Sequence, residues 1–201
     1  MTDVIPTLDP QRTALLVMDY QQAIVRMIED SDALVARAGE AIELVRARGG
    51  HIGYVRVAFT ASDLENIPPT SGMGARIASG PEAFMDDSPT TQIDERVAPR
   101  DADILVRKTR VGAFSTTDLA QQLADRRIDT LILAGISTSG VVLSTVRDAS
   151  DRDYRLLVLA DATADRDAEV HACLMEKVFP RQAQVITVAD LDGLLGTGGE
   201  S

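Results

Sequence analysis

The stretch Thr130-Leu131-Ile132-Leu133-Ala134-Gly135-Ile136-Ser137-Thr138-Ser139-Gly140-Val141-Val142 decides the fold. Thr130–Ala134 is a continuous apolar run, as expected of a strand covered on both faces. A turn of Gly, Ser and Thr follows. From Ser139 to Arg152 the apolar residues Val142, Val146 and Ala149 recur at helical spacing. Strand, turn and helix in that order form the building unit of an α/β domain. The same rhythm extends in both directions. Strands are expected at Thr13–Met18, Ile52–Phe59, Ile104–Val106 and Arg155–Ala160, with a sixth at Gln184–Val188. Helices are expected at Asp32–Arg48, stopped by Gly49-Gly50, at Thr117–Arg126 behind Ser/Thr caps, and at Asp167–Val178, before Pro180. The prediction is a three-layer α/β/α, Rossmann-like domain over residues 1–201, with about six strands in a mostly parallel sheet.

Composition bounds the function. The 201 residues suit one domain, and 45% apolar content supports a sizeable core. Aromatics make up only 3%, so the core is expected to be aliphatic. A formal charge of −11 repels nucleic acid and anionic membranes, leaving a small molecule or a protein as partner. Met1–Arg12 has no apolar core of a signal peptide, and runs such as Ala14–Met18 are too short to cross a bilayer. The single Cys173 excludes an internal disulfide and a cysteine-cluster metal site. A cytoplasmic protein is expected.

The segment Thr60–Arg100 breaks the rhythm. It holds Pro68, Pro69, Pro81, Pro89 and Pro99, five of the eight prolines. A loop this long reads as a lid, a subunit-contact segment or a mobile surface insertion.

Ligands in open parallel sheets bind at the carboxyl ends of strands. Asp19 stands at the end of the first strand. There a carboxyl group is either an acid/base raised by desolvation or a helix N-cap. Lys108 stands at the end of the third, as either a solvated strand end or the partner of a buried acid. With strands one and three near the sheet centre, the two would meet over one cleft. An ion pair would lower the Asp19 pKa while burial raised it, and the sequence leaves that contest open. The turn Gly135–Val141 offers backbone N–H groups to an oxyanion or carboxylate, or is an ordinary strand–helix turn. It contains no dinucleotide fingerprint, and no P-loop occurs in the chain, so no cofactor is expected. No metal is expected either: the strand-two exit has no histidine pair, which leaves only a carboxylate magnesium site open. His51 and His171 sit away from strand carboxyl ends, which disfavours a Ser-His-Asp triad. Cys173, inside a helix, is expected to be a buried small hydrophobe.

Val17-Met18-Asp19-Tyr20-Gln21 resembles the V-x-D-x-Q of the isochorismatase-like cysteine hydrolases. Lys108 to Leu119 is similar to their K-x-x-x-S-A-F-x-x-T-x-L, with Gly112 replacing the Ser. Gly135 to Ala149 resembles G-[IV]-x-T-x-x-C-V-x-x-T-x-x-D-A, with Val141 at the position of the reactive Cys. Asp151-Arg152-Asp153-Tyr154 and Val158–Ala162 continue the likeness, which covers nearly the whole chain in order.

The resemblance implies Asp19 as acid/base and Lys108 as its electrostatic partner. It further implies a cis peptide at Ile136–Ser137 and an oxyanion site near the Ser137 and Val141 amides. Gln21, Phe114, Ile136, Ser137 and Gly140 would contact substrate, with Phe114 as an apolar wall. A dimer or tetramer is implied as well. Val141 cannot attack a carbonyl, so the family's thioester route is closed at this turn. The isochorismatases proper also lack the Cys. In their mechanism a protonated Asp delivers a proton to a vinyl-ether carbon, and water captures the resulting cation. The expected function is therefore a thiol-independent hydrolase of a small molecule. The alternatives are a non-catalytic binding or assembly protein on the same scaffold, or a serine-dependent amidase using Ser137, Ser139 or Ser144.

Overall fold

The computed structural model describes residues 7–78 and 80–196. Six strands form one sheet: β1 (Thr13–Met18), β2 (His51–Val57), β3 (Ile104–Lys108), β4 (Thr130–Ile136), β5 (Arg155–Ala164) and β6 (Gln184–Ile186). Their order is β3-β2-β1-β4-β5-β6, and every neighbouring pair is parallel. The helices are α1 (Gln22–Val25), α2 (Ser31–Ala47), α3 (Ala61–Glu65), α4 (Gly72–Ile77), α5 (Leu119–Asp125), α6 (Leu143–Asp151), α7 (Ala168–Cys173) and α8 (Val188–Leu194).

The sequence of β1 shows why the sheet is sandwiched. All its residues are buried, and they alternate between two cores. Leu15 and Val17 pack into one layer with Leu34, Ala38 and Ile42 of α2 and Leu191 of α8. Ala14, Leu16 and Met18 pack into the other with Leu123 of α5 and Val146 of α6. A strand so placed needs apolar residues at every position, not every second one. Gly49 ends the α2 region with φ 79°, a conformation that favours glycine. The core is mainly aliphatic, yet Tyr20, Tyr54, Phe59 and Phe179 are among its largest buried side chains.

From β1 the chain builds outward through β2 and β3, then returns to place β4 on the other side of β1. This reversal opens a crevice at the carboxyl ends of β1 and β4. Asp19 and the Ser137 turn lie there because those strands end there.

Several expected boundaries differ. β3 is an edge strand, not a central one. β5 runs past Ala160 to Ala164, because the Asp161 carboxylate accepts a bond from the Val188 amide (2.9 Å) and is tolerated inside the strand. β6 stops at Ile186, since Thr187 and Asp190 form a capping box that starts α8. π-helical turns at Thr138–Val142 and Leu174–Val178 occupy parts of the third and fourth expected helices. Cys173 is exposed, not buried. Among the described residues no helix is long and apolar enough to cross a membrane.

Candidate active site

Asp19 leaves β1 with φ 58°, in the left-handed region that Asp tolerates better than most residues. Its amide still bonds to Val55 O (2.8 Å), so β2 fixes the backbone while the chain turns sharply. The next residue pins that turn: the buried Tyr20 hydroxyl donates to Ala162 O (2.7 Å) on β5. The Asp19 residue is only 6% exposed.

Lys108, at the end of β3, is 2% exposed. Two inter-strand spacings, about 10 Å, separate β3 from β1. The long Lys side chain crosses above β2, and its Nζ donates to Asp19 Oδ2 (2.8 Å). Nζ also donates to Val111 O (2.8 Å) and Arg110 O (3.3 Å). An ammonium has three donors, and all three are used here. Lys108 is thus held as a charge beside Asp19. The edge position of β3 does not prevent the meeting, because side-chain length substitutes for adjacency.

Asp19 Oδ1 is buried without a hydrogen-bond partner. Burial raises the Asp19 pKa, while the charge and hydrogen bond of Lys108 pull it down, and burial prevails. The site therefore favours a carboxyl group that retains its proton above the usual carboxylate range and has one oxygen uncommitted.

The Ile136–Ser137 peptide is cis. The turn after it consumes several of its own amides. Ser139 N donates to Asp165 Oδ2 (2.7 Å), and Gly140 N and Val142 N donate to Ser137 O (3.2 and 3.3 Å). A Cβ on Gly140 would lie 2.7 Å from Ser137 Oγ, so glycine leaves that side chain its place. The Ser139 hydroxyl also donates to Asp165 Oδ2 (2.7 Å). No histidine takes part in that pair. His171 instead contacts Thr138, Nδ1 to Oγ1 at 2.8 Å, because α7 folds back over the turn. Burial holds the His171 pKa below its usual value, against the charge of Asp165.

A cavity of about 400 Å³ opens over these groups. Asp19, Lys108, Ile136, Ser137, Gly140 and Val141 all line it. Two residues expected to contact substrate lie elsewhere. The Gln21 amide is spent on backbone: Oε1 accepts from Val57 N (2.8 Å), and Nε2 donates to Val57 O (2.9 Å) and Thr91 O (2.7 Å). Gln21 braces backbone of β2 and of the 60–100 segment and does not line the cavity. Phe114 stacks on Tyr154 with centroids 6.1 Å apart, and the Arg152 guanidinium lies 4.9 Å from its ring centroid. The aromatic wall comes instead from Phe84 of the 60–100 segment, which also brings Met73 and Arg76 of α4 to the cavity. That segment is latched to the sheet by Arg107–Asp63 (2.7 Å) and Arg56–Asp86 (2.6 Å). Among the described residues no group of three or more His, Cys, Asp or Glu side chains is placed to hold a metal ion.

Comparison with known proteins fits this geometry. The isochorismatase domain family matches residues 13–190. The chain belongs to the isochorismatase family. It is 33% identical over 189 residues to the isochorismatase family protein YecD of Escherichia coli O157:H7, covering 92% of this chain and 96% of that one. It is 34% identical over 188 residues to the phenazine biosynthesis protein PhzD of Pseudomonas fluorescens, covering 92% and 86%. An isochorismatase family protein from Burkholderia thailandensis superposes with a TM-score of 0.79 at 27% identity, over 96% and 99% of the two chains. Members of the family are hydrolases. In this isochorismatase-family chain, Arg76, Phe84 and Arg166 also line the cavity and were not singled out from the sequence. Arg166 follows β5, which runs further than its apolar pattern indicates. Arg76 and Phe84 lie in a segment with no periodicity to place them.

Proposed function

We propose that this isochorismatase-family hydrolase cleaves a vinyl ether of the isochorismate type by proton transfer from Asp19, with no protein nucleophile. The observation that carries this reading is the unpartnered, buried Asp19 Oδ1 on a cavity whose Cys position is Val141. Asp19 passes a proton to the terminal vinyl carbon, and positive charge develops on the ether carbon and oxygen. Water adds to that cation, the hemiketal collapses, and a keto acid and an alcohol leave.

Lys108 has a definite part in this scheme. Burial alone would make the acid too weak to give up its proton. A cation 2.8 Å from Oδ2 stabilises the carboxylate left after transfer. Lys108 is therefore a positioning residue with an electrostatic role.

The test is isochorismate hydrolysis by the wild type and by Asp19→Asn. A positioned general acid contributes about 10²–10⁴-fold, and a loss of that order is expected. Undiminished turnover in the variant would refute the role of Asp19. No turnover by the wild type would exclude this substrate. Inactivity across vinyl-ether, amide and ester panels, with ligand binding retained, would favour the binding-protein alternative.

A further inference from the structure

The segment between β2 and β3 carries part of the cavity wall on a thin mounting. Its two ends meet. Phe59 N donates to Phe84 O and Asp86 N donates to Phe59 O, both at 2.9 Å, around a bridge between Phe59 and Met85. Phe59 is fully buried, so this base is fixed. Residues 60–78 and 80–84 are one closed excursion of the chain, carrying α3 and α4. Among the described residues of that excursion only Ile77 is buried. Neither α3 nor α4 packs extensively on a strand or on another helix. A segment opens at least cost where few apolar contacts are lost. Yet this one brings Met73, Arg76 and Phe84 to the cavity that holds Asp19 and Lys108.

Two arginines on the sheet hold it down. Arg107 of β3 donates through Nη1 to Asp63 Oδ2 of α3 (2.7 Å) and to Ala58 O (2.9 Å). Arg56 of β2 donates through Nη2 to Asp86 Oδ1 (2.6 Å). One latch grips the excursion beyond its base and the other grips the base itself. All four side chains are partly exposed, so water and salt compete for both pairs.

We propose that residues 60–78 and 80–84 are a gate: a flap that swings about Phe59 and Met85 when the arginine latches break, admits ligand to the cavity, and shuts over Asp19 again. A shut flap keeps bulk water from a carboxyl group whose acidity depends on burial. The gate rests on the cavity being the substrate site, as in the preceding reading, but not on the proton-transfer step.

The experiment measures access to a thiol on the cavity wall. A full chain carrying Val141→Cys and Cys173→Ser has its one thiol there. It is labelled with two neutral maleimides, the small N-ethylmaleimide and the bulky N-pyrenylmaleimide. Loss of the arginine charges disfavours the thiolate and slows both reagents alike, so the ratio of the two rates is read. Adding Arg56→Ala and Arg107→Ala is expected to raise the bulky-to-small ratio about fivefold, the weight of partly exposed ion pairs. Raising salt from about 0.1 to about 1 M shortens the screening length from about 10 to about 3 Å. That should raise the ratio in the latched chain and leave the unlatched one unchanged. Arg12→Ala, which breaks an ion pair with Asp129 at the amino end of the sheet, should leave the ratio as it was. In the wild type, amide hydrogen exchange read by mass spectrometry should be faster in residues 61–77 than in α2, and faster still without the latches. An unchanged ratio in the latch variant, an equal change with Arg12→Ala, a thiol closed to both reagents with and without the latches, or flap exchange no faster than that of α2 would each overturn the gate. Turnover does not enter these readouts. An unresponsive ratio beside Asp19-dependent turnover removes the gate alone, and a responsive ratio beside turnover independent of Asp19 removes the acid reading alone.

Discussion

At Asp19 two opposing forces act on one carboxyl group, and pH separates them. Burial raises its pKa and Lys108 restrains the rise. If the protonated form is the working acid, turnover is highest at low pH and falls as pH climbs through the raised pKa. Lys108→Met removes the restraint. Its turnover is expected to drop, while the pH at which activity declines moves upward, a shift that a merely structural role would not produce. Stability has the same sign. A carboxyl group with a raised folded pKa contributes fully below its unfolded pKa, and that contribution is lost as pH rises through the folded value. Denaturant midpoints of wild type and Asp19→Asn, compared from pH 4 to 9, should therefore show the wild type losing ground as pH increases. At position 141 the contrast is steric. Val141 is buried in the core layer of α5 and α6 and also lines the cavity. Val141→Cys removes about one buried methyl group and should cost about 0.5–1.5 kcal/mol. In a Cys173→Ser background, which removes the exposed thiol, it should place an alkylatable thiol on the cavity, detected by iodoacetamide labelling and mass spectrometry.

Among the elements, the strand–turn–helix unit around β4 was legible in the sequence because its apolar run, small-residue turn and helical stripe each reflect one local rule. Asp19 and Lys108 were legible as strand ends. A central β3 is not what brings them together: β3 is an edge strand, and the lysine is long enough to cross β2. Gln21 and Phe114 show the limit of motif reading. A buried amide and an aromatic ring carry no local mark that tells a ligand contact from a backbone strut or a stacking partner. Gln21→Ala would leave Val57 N, Val57 O and Thr91 O short of a partner. Each buried polar group left so costs about 1–3 kcal/mol, so a loss of several kcal/mol in denaturant unfolding is expected, with the cavity still formed from the same residues. The 60–100 segment was unreadable in detail because its short helices are set by capping pairs such as Thr60–Asp63 and by the two arginine latches. Partly exposed ion pairs contribute about 1 kcal/mol or less. The double variant Arg56→Ala/Arg107→Ala should thus unfold globally near the wild-type midpoint yet be cut faster by protease within residues 64–84, as read by mass spectrometry of early fragments.

For the molecule as a whole, the strand order determines more than where the cavity lies. The strands whose ends frame the cavity come from chain segments far apart: β1 pairs with β4 from Thr13–Thr130 to Met18–Gly135, and Lys108 reaches back to Asp19. Non-local pairings form late because loop closure must precede any gain from contact. The reversal in strand order therefore has a history in time as well as a position in space. During refolding, β1, α2 and β2 follow one another in the chain and can meet early, whereas the docking of α2 on β5 and α8, and the cavity itself, wait for the later strands and for β4 to close against β1. Helical circular dichroism should recover before hydrolytic activity in a stopped-flow and quenched-assay comparison, so that a newly made chain gains its shape before it gains its chemistry.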